Sequence, residues 1–240
     1  MNNFYRTILI NLHRIAYYIA KTRIWMRHPE RHPLEQRYGV ARQMVSSMNR
    51  SAGYLTVAEG AEKLPKEGGY MLYPNHQGKY DVLGIISAHD KPISFVMDRK
   101  RAHMVLVSEY MMLVEGKELD LRNIRQNISV FKEMAEEIKD RDRKFILFPE
   151  GGYRENNQNV VGKFKPGSFK VAQMARCPIV PVALVDSYMV YNSPHKGPVI
   201  TYVYYLDPIY YEEYKGMKTP EIAQIVEDRI REKIREHFAS

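Results

Sequence analysis

From Phe4 onward the apolar residues Phe4, Ile8, Leu12, Ile15 and Ile19 return every three or four positions, the spacing of one helical face. Arg6, Arg14, Lys21 and Arg23 accompany them, with Tyr17, Tyr18 and Trp25 toward the end. His28-Pro29 stops this helix, and Pro33 opens a second one running to about Arg50. The second helix carries Leu34, Tyr38, Ala41, Val45 and Met48 on one face. After Gly53 short apolar runs alternate with helical ones. Strands are expected at Tyr54–Ala58, Tyr70–Tyr73, Ile93–Met97, Phe145–Phe148, Ile179–Leu184 and Val199–Leu206. Helices are expected at Asp81–Ser87, Ala102–Val114, Ile124–Asp140 and Ser168–Ala175. A final amphipathic helix covers Pro220 to about Phe238, with Thr219 as its N-cap.

This alternation predicts an α/β fold, a largely parallel mixed sheet flanked by helices and preceded by an N-terminal amphipathic two-helix motif. The chain divides into residues 1–52, a membrane-association motif, and residues 53–240, the α/β domain.

Charge sharpens the first assignment. Residues 1–50 hold nine Lys and Arg against Glu30 and Glu35, a net +7, while the whole chain totals +8. A basic, aromatic hairpin on a neutral body points to an anionic membrane surface. Nucleic-acid binding is not expected, because the folded body lacks a basic stripe. No apolar run approaches the roughly 18 residues a membrane-spanning helix needs. The N-terminal segment is also interrupted by Asn11, His13 and Arg14, which argues against a secretory signal. With Cys177 as the only cysteine, neither an intrachain disulfide nor a cysteine metal cluster is available. A cytosol-facing location is compatible with that single thiol.

Two strand ends carry candidate chemistry. Tyr70–Tyr73 runs into Asn75-His76-Gln77-Gly78-Lys79-Tyr80-Asp81, where the Asp81 carboxylate can fold back onto one imidazole nitrogen of His76. The other nitrogen is then free to take a proton from a substrate hydroxyl. Phe145–Phe148 runs into Pro149-Glu150-Gly151-Gly152-Tyr153-Arg154, acidic and basic groups suited to a polar, phosphate-bearing substrate. In Val180-Pro181-Val182, the proline can close a wall near the same edge. His89, His103 and His195 have no matching partners nearby and read as surface residues.

Together these blocks resemble the glycerolipid acyltransferases, the family of 1-acylglycerol-3-phosphate acyltransferase, in its bacterial form. That family has His-x-x-x-x-Asp, Gly-x-x-Phe-x-x-Arg, Phe-Pro-Glu-Gly and Val-Pro-Val blocks, in this order. Here they are His76–Asp81, Gly116–Arg122 with Leu119 in place of the phenylalanine, Phe148–Gly151 and Val180–Val182. Two departures stand out. The third block continues as Gly152-Tyr153-Arg154, its arginine one residue later than usual. The fourth runs into Asp186-Ser187-Tyr188, where many members have Gly-Ser or Gly-Thr.

The resemblance implies a glycerol-3-phosphate acyltransferase-like fold over residues 53–240. It implies transfer of a fatty acyl chain from acyl-CoA or acyl-carrier protein to the sn-2 hydroxyl of 1-acylglycerol 3-phosphate, giving phosphatidic acid. His76 would deprotonate the hydroxyl and Asp81 would orient the imidazole, with no acyl-enzyme, no metal and no cofactor beyond the donor. Glu150 would bind the glycerol part or support its turn, beside Gly151. Arg122, in the block opened by Gly116, would be the leading phosphate ligand, assisted by Arg154, with Lys79, Arg99 and Lys100 as weaker candidates. The expected place is the cytoplasmic membrane, peripheral or monotopic on its cytoplasmic face. Alternatives are another lysolipid or glycerol 3-phosphate as acceptor, or a non-catalytic basic membrane-binding protein. A hydrolase would need a nucleophile, and no Gly-x-Ser-x-Gly elbow occurs.

Overall fold

Tyr70–Pro74 and Ile179–Val185 are buried along their whole length, which places them at the centre of a sheet covered on both sides. The structure, a computed structural model, describes residues 3–120, 124–153, 158–195 and 197–239. The chain begins with helices α1 (Asn3–Ile10), α2 (Leu12–Trp25) and α3 (Leu34–Ala52). Then follow β1 (Tyr54–Glu59), β2 (Tyr70–Pro74), α4 (Asp81–Ala88), β3 (Ser94–Asp98), α5 (Arg99–Ala102) and α6 (Val107–Val114). Next come β4 (Lys117–Leu119), α7 (Ile124–Arg141), β5 (Lys144–Ile146), α8 (Lys170–Ala175) and β6 (Ile179–Val185). The chain closes with α9 (Tyr188–Tyr191), β7 (Val199–Tyr205), α10 (Tyr211–Tyr214) and α11 (Thr219–Ala239).

The seven strands lie in the order β1-β7-β6-β2-β5-β3-β4. Every pairing is parallel except β6 with β7. Strands β2 to β6 therefore end at one edge of the sheet, and β1 and β7 end at the other. Side chains alternate between the faces, as the pleat requires. Met71, Tyr73, Ile179 and Ala183 pack on α7, α8 and α11 through Ile138, Ala172 and Val226. Tyr70, Leu72, Val180 and Val182 pack on α3, α4 and α6 through Met44, Ile85 and Leu113. The result is a helix–sheet–helix sandwich, the α/β architecture the alternation predicted.

Three details differ from the sequence expectation. The N-terminal helix is broken at Asn11, whose side chain donates to Thr7 O (2.9 Å) and accepts from Ser51 Oγ (2.7 Å). The helix expected over Ala102–Val114 is interrupted, because Leu106 adopts φ +73. β4 was not foreseen: Lys117-Glu118-Leu119 is too short and polar to show a period.

Helices α1 and α2 turn polar residues inward beside Ile15, which is buried in the core. Asn3, Thr7, Asn11 and Thr22 are buried, while Tyr5, Leu9, Leu12, Tyr17 and Ile24 are exposed. The inward polar groups dock on the body, Thr7 Oγ1 lying 3.0 Å from Tyr54 Oη. Helix α3 instead belongs to the core, with Tyr38, Ala41, Met44 and Val45 buried against the sheet helices. It ends at Gly53, whose φ of +79 suits a residue without a Cβ. Among the described residues, no helix is long and apolar enough to cross a membrane.

Candidate active site

At the end of β2 the backbone ladder is continued by a side chain. The Asn75 amide donates to Leu184 O (3.1 Å) and accepts from Leu184 N (2.7 Å), tying the β2 exit to β6. His76 follows, and Asp81 is the first residue of α4, a favourable place for a negative charge. His76 Nδ1 and Asp81 Oδ2 are 2.6 Å apart. The same oxygen accepts the backbone N–H groups of Gln77 (2.6 Å) and Gly78 (2.9 Å). Its partner Oδ1 accepts the Ser187 hydroxyl. Four donors thus converge on one fully buried carboxylate. An ionised carboxylate only accepts, so Nδ1 carries the imidazole proton and Nε2 presents its lone pair.

The imidazole is held flat against Phe148 (4.1 Å between ring centres) and edge-on to Tyr153 (4.8 Å). Its side chain keeps 15% exposure, whereas Asp81 has none, so a substrate can reach the histidine but not its partner. Among the described residues, Nε2 has no hydrogen-bond partner.

Glu150 lies behind the histidine. Its Oε1 accepts the His76 backbone N–H at 2.9 Å, tying the two strand-end turns together. Burial raises its carboxyl above the usual range, with the His76 hydrogen bond pulling the other way. A Cβ on Gly162 would stand 2.3 Å from Glu150 Oε2, so the glycine leaves room for the carboxylate. Gly151, at φ +73, makes the turn itself. A Cβ there would strike the end of the flexible Lys165 side chain.

Other candidates fall elsewhere. Pro181 is buried within β6, level with Tyr73, and does not wall the site; Leu184, three residues on, is what the site touches. Gly116 precedes β4 and, by the strand register, lies level with Phe95 of β3 and Leu72 of β2, in mid-sheet below His76. Its missing side chain makes room for Met111, whose Sδ would lie 2.5 Å from a Cβ. The Lys79 ammonium sits 4.9 Å from the Phe4 ring of α1. Arg99 reaches Glu118 at 3.7 Å. Arg122 and Arg154 lie outside the described residues. His89 is no surface residue: it is buried, with Nε2 2.7 Å from Tyr70 Oη and Nδ1 2.6 Å from Lys91 O. His103 and His195 are exposed.

Several supporting residues escaped the sequence reading. Gln77 donates to Asn159 Oδ1 (2.7 Å) and Leu184 O (2.8 Å), and its carbonyl oxygen lies 3.1 Å from Ser187 Oγ. Asn159 in turn donates to Asp186 Oδ1 at 2.8 Å. These partners lie 82 to 110 residues from Gln77, beyond the reach of any local motif. A cleft of about 520 Å³ at the other end of the sheet, lined by Glu59, Lys63, Asp207 and Arg229, contains none of these residues.

The acyltransferase family model matches residues 56–185, more than half of the chain. The chain belongs to the acyltransferase family. The acyltransferase match takes in most of β1 and all of β2 to β6, and with them His76, Asp81 and Glu150, but leaves out α1 to α3, β7 and α11. A Mycoplasma pneumoniae relative, named a probable 1-acyl-sn-glycerol-3-phosphate acyltransferase, is 30% identical over 164 residues, or 66% of this chain and 60% of its own. The Saccharomyces cerevisiae 1-acyl-sn-glycerol-3-phosphate acyltransferase is 26% identical over 181 residues, 74% of this chain and 59% of its own. The chain thus spans about 60% of the length of these two relatives. The crystal structure of the 1-acyl-sn-glycerophosphate acyltransferase PlsC from Thermotoga maritima superposes with a TM-score of 0.76. That match covers 99% of this chain and 94% of the other at 20% identity, a likeness of fold.

Proposed function

We propose that the protein transfers a fatty acyl chain from acyl-CoA or acyl-carrier protein to the sn-2 hydroxyl of 1-acylglycerol 3-phosphate. The observation that carries this reading is the His76–Asp81 pair, with Nδ1 held by a buried carboxylate and Nε2 unpartnered at an open surface. In the reaction, Nε2 takes the acceptor hydroxyl's proton as its oxygen attacks the thioester carbonyl carbon. The tetrahedral adduct collapses, the C–S bond breaks, and the imidazolium returns the proton to the departing thiolate. Asp81 keeps the imidazole in the right tautomer and stabilises its cation. A base so placed is worth roughly 100- to 10,000-fold in rate.

A hydrolase mechanism is disfavoured. Ser187 is the serine against the pair, but it is buried and its hydroxyl is engaged by Asp81 and Gln77, not His76. Glu150 supports the His76 turn in this reading, and Arg122 and Arg154 are proposed to hold the acceptor phosphate.

The reading places the reaction at the cytoplasmic membrane face, with the enzyme bound peripherally. The exposed apolar stripe of α1 and α2, together with the net +7 of residues 1–50, supports it. The test is acyl transfer to 1-acylglycerol 3-phosphate in vesicles with each donor, comparing wild type with His76→Ala. Product from wild type alone is expected. Equal product from both would remove His76 as the base, and product only with glycerol 3-phosphate or another lysolipid would change the acceptor.

A further inference from the structure

Between α5 and α6 the chain turns abruptly from basic to apolar. Arg99, Lys100 and Arg101 are exposed, and Met104 and Val105 follow at 54% and 66% exposure. Arg99 and His103 both reach Glu118, at 3.7 and 3.4 Å. Lys100 and Arg101 have no acidic partner among the described residues.

The loop is held outward by its neighbours. Leu106 takes φ +73 and ψ −43, an unfavourable conformation for a residue with a Cβ. Its N–H donates to Glu109 Oε2 at 2.8 Å, and the buried Glu109 is paired with Arg23 of α2 at 2.9 Å. Helix α2 therefore sets the position of the loop. Ile24, next to Arg23, belongs to the exposed apolar stripe, while Trp25 and Leu106 pack in one cluster. On the other side, the Arg101 guanidinium lies 5.7 Å from the Tyr153 ring, and Tyr153 touches His76. Residues 99–105 thus bridge the stripe of α2 and the mouth of the His76 site.

We propose that this loop is a second lipid-contacting element. Lys100 and Arg101 meet anionic headgroups, and Met104 and Val105 enter the interface between headgroups and chains. The bilayer surface then continues from α2 to His76, so a lysolipid reaches the base without leaving it. The proposal rests on the membrane reading of α1 and α2 and extends it to the catalytic body. A bilayer fits better than a protein partner. Two apolar side chains at a loop tip fall far short of the roughly 800 Å² per partner that a stable interface buries. Flanking cations and continuity with the α2 stripe are what a lipid surface selects.

Cys177 makes the test clean: it is buried, and burial pushes its thiol up to about 12, so it resists labelling. Val105→Cys, Leu9→Cys and Tyr210→Cys would each carry an environment-sensitive nitrobenzoxadiazole label on the full chain. Vesicles of phosphatidylcholine and phosphatidylglycerol are then added. The expected result is a several-fold brighter, blue-shifted emission at positions 105 and 9, and no change at 210. A label at 105 that stays water-like while position 9 responds would overturn the loop proposal alone. Silence at both positions would overturn the membrane reading and the loop with it. A blue shift at 105 on concentrating the protein without vesicles would overturn it in favour of a second copy of the chain.

Discussion

The Ser187 hydroxyl donates to Asp81 Oδ1, the carboxylate oxygen that His76 does not use. The imidazole is therefore oriented by a carboxylate that is itself oriented, from a turn 106 residues away in sequence. Ser187→Ala leaves Oδ1 without a donor in a buried site, a loss of about 1–3 kcal/mol for a charged acceptor. Turnover is expected to fall about tenfold, or 1.4 kcal/mol, with KM little changed. Ser187→Thr keeps the hydroxyl and should restore most of the rate. Steady-state kinetics of the two variants checks this, and equal losses in both would show that Ser187 only packs.

Asp81→Asn tests the orientation more directly. The amide cannot both accept the Gln77 and Gly78 N–H groups and hold the Nδ1–H tautomer as a charge. Turnover should drop roughly 1,000-fold or more, by analogy with the loss of the aspartate in serine-protease triads. Thermal unfolding of the purified variant shows whether it is folded, and a folded protein with near-normal turnover would refute the role.

His89 makes stability depend on pH. Burial lowers its pKa from 6.5 to about 4, with the Lys91 carbonyl pulling back. The unfolded chain therefore binds more protons than the folded one between those values. Stability is full above about pH 6.5 and is lost as pH falls toward 4. His89→Gln should flatten the Tm between pH 7 and 4, while lowering it at pH 7 by weakening the Tyr70 contact. Thermal melts across that range decide it.

Leu9→Glu with Leu12→Glu should cut recovery on anionic vesicles severely and leave Tm nearly unchanged, because both side chains point outward at 59% exposure. Cosedimentation at low and high salt measures it. Removing residues 1–50 wholesale is a poorer experiment, since it strips Tyr38, Ala41 and Met44 from the core.

What the sequence made legible follows from its physics. β2 and β6 were visible because strands buried on both faces read as continuous apolar runs. His76 and Asp81 were visible because the two halves of the pair stand only five positions apart. β4 was hidden because an edge strand of Lys-Glu-Leu has nothing to alternate. The break at Leu106 was hidden because its cause is Glu109, held by Arg23 from another helix. His89 was misread because its partner Tyr70 stands 19 residues earlier, on a strand the sequence cannot place beside it.

His76 and Glu150 both follow strands that end at one edge of the sheet, which leaves the sheet a reactive rim and a mute one. Strands β1 and β7 end at the mute rim, and β2 starts from it, so the turn at Glu67-Gly68 lies there too. Glu67 is exposed. Foreign sequence spliced between these two residues is felt mainly as loop-closure entropy, about 0.6 kcal/mol for each doubling of length. The turn is thus a natural handle: a tag placed there can fix the molecule to a solid support with its working rim facing away.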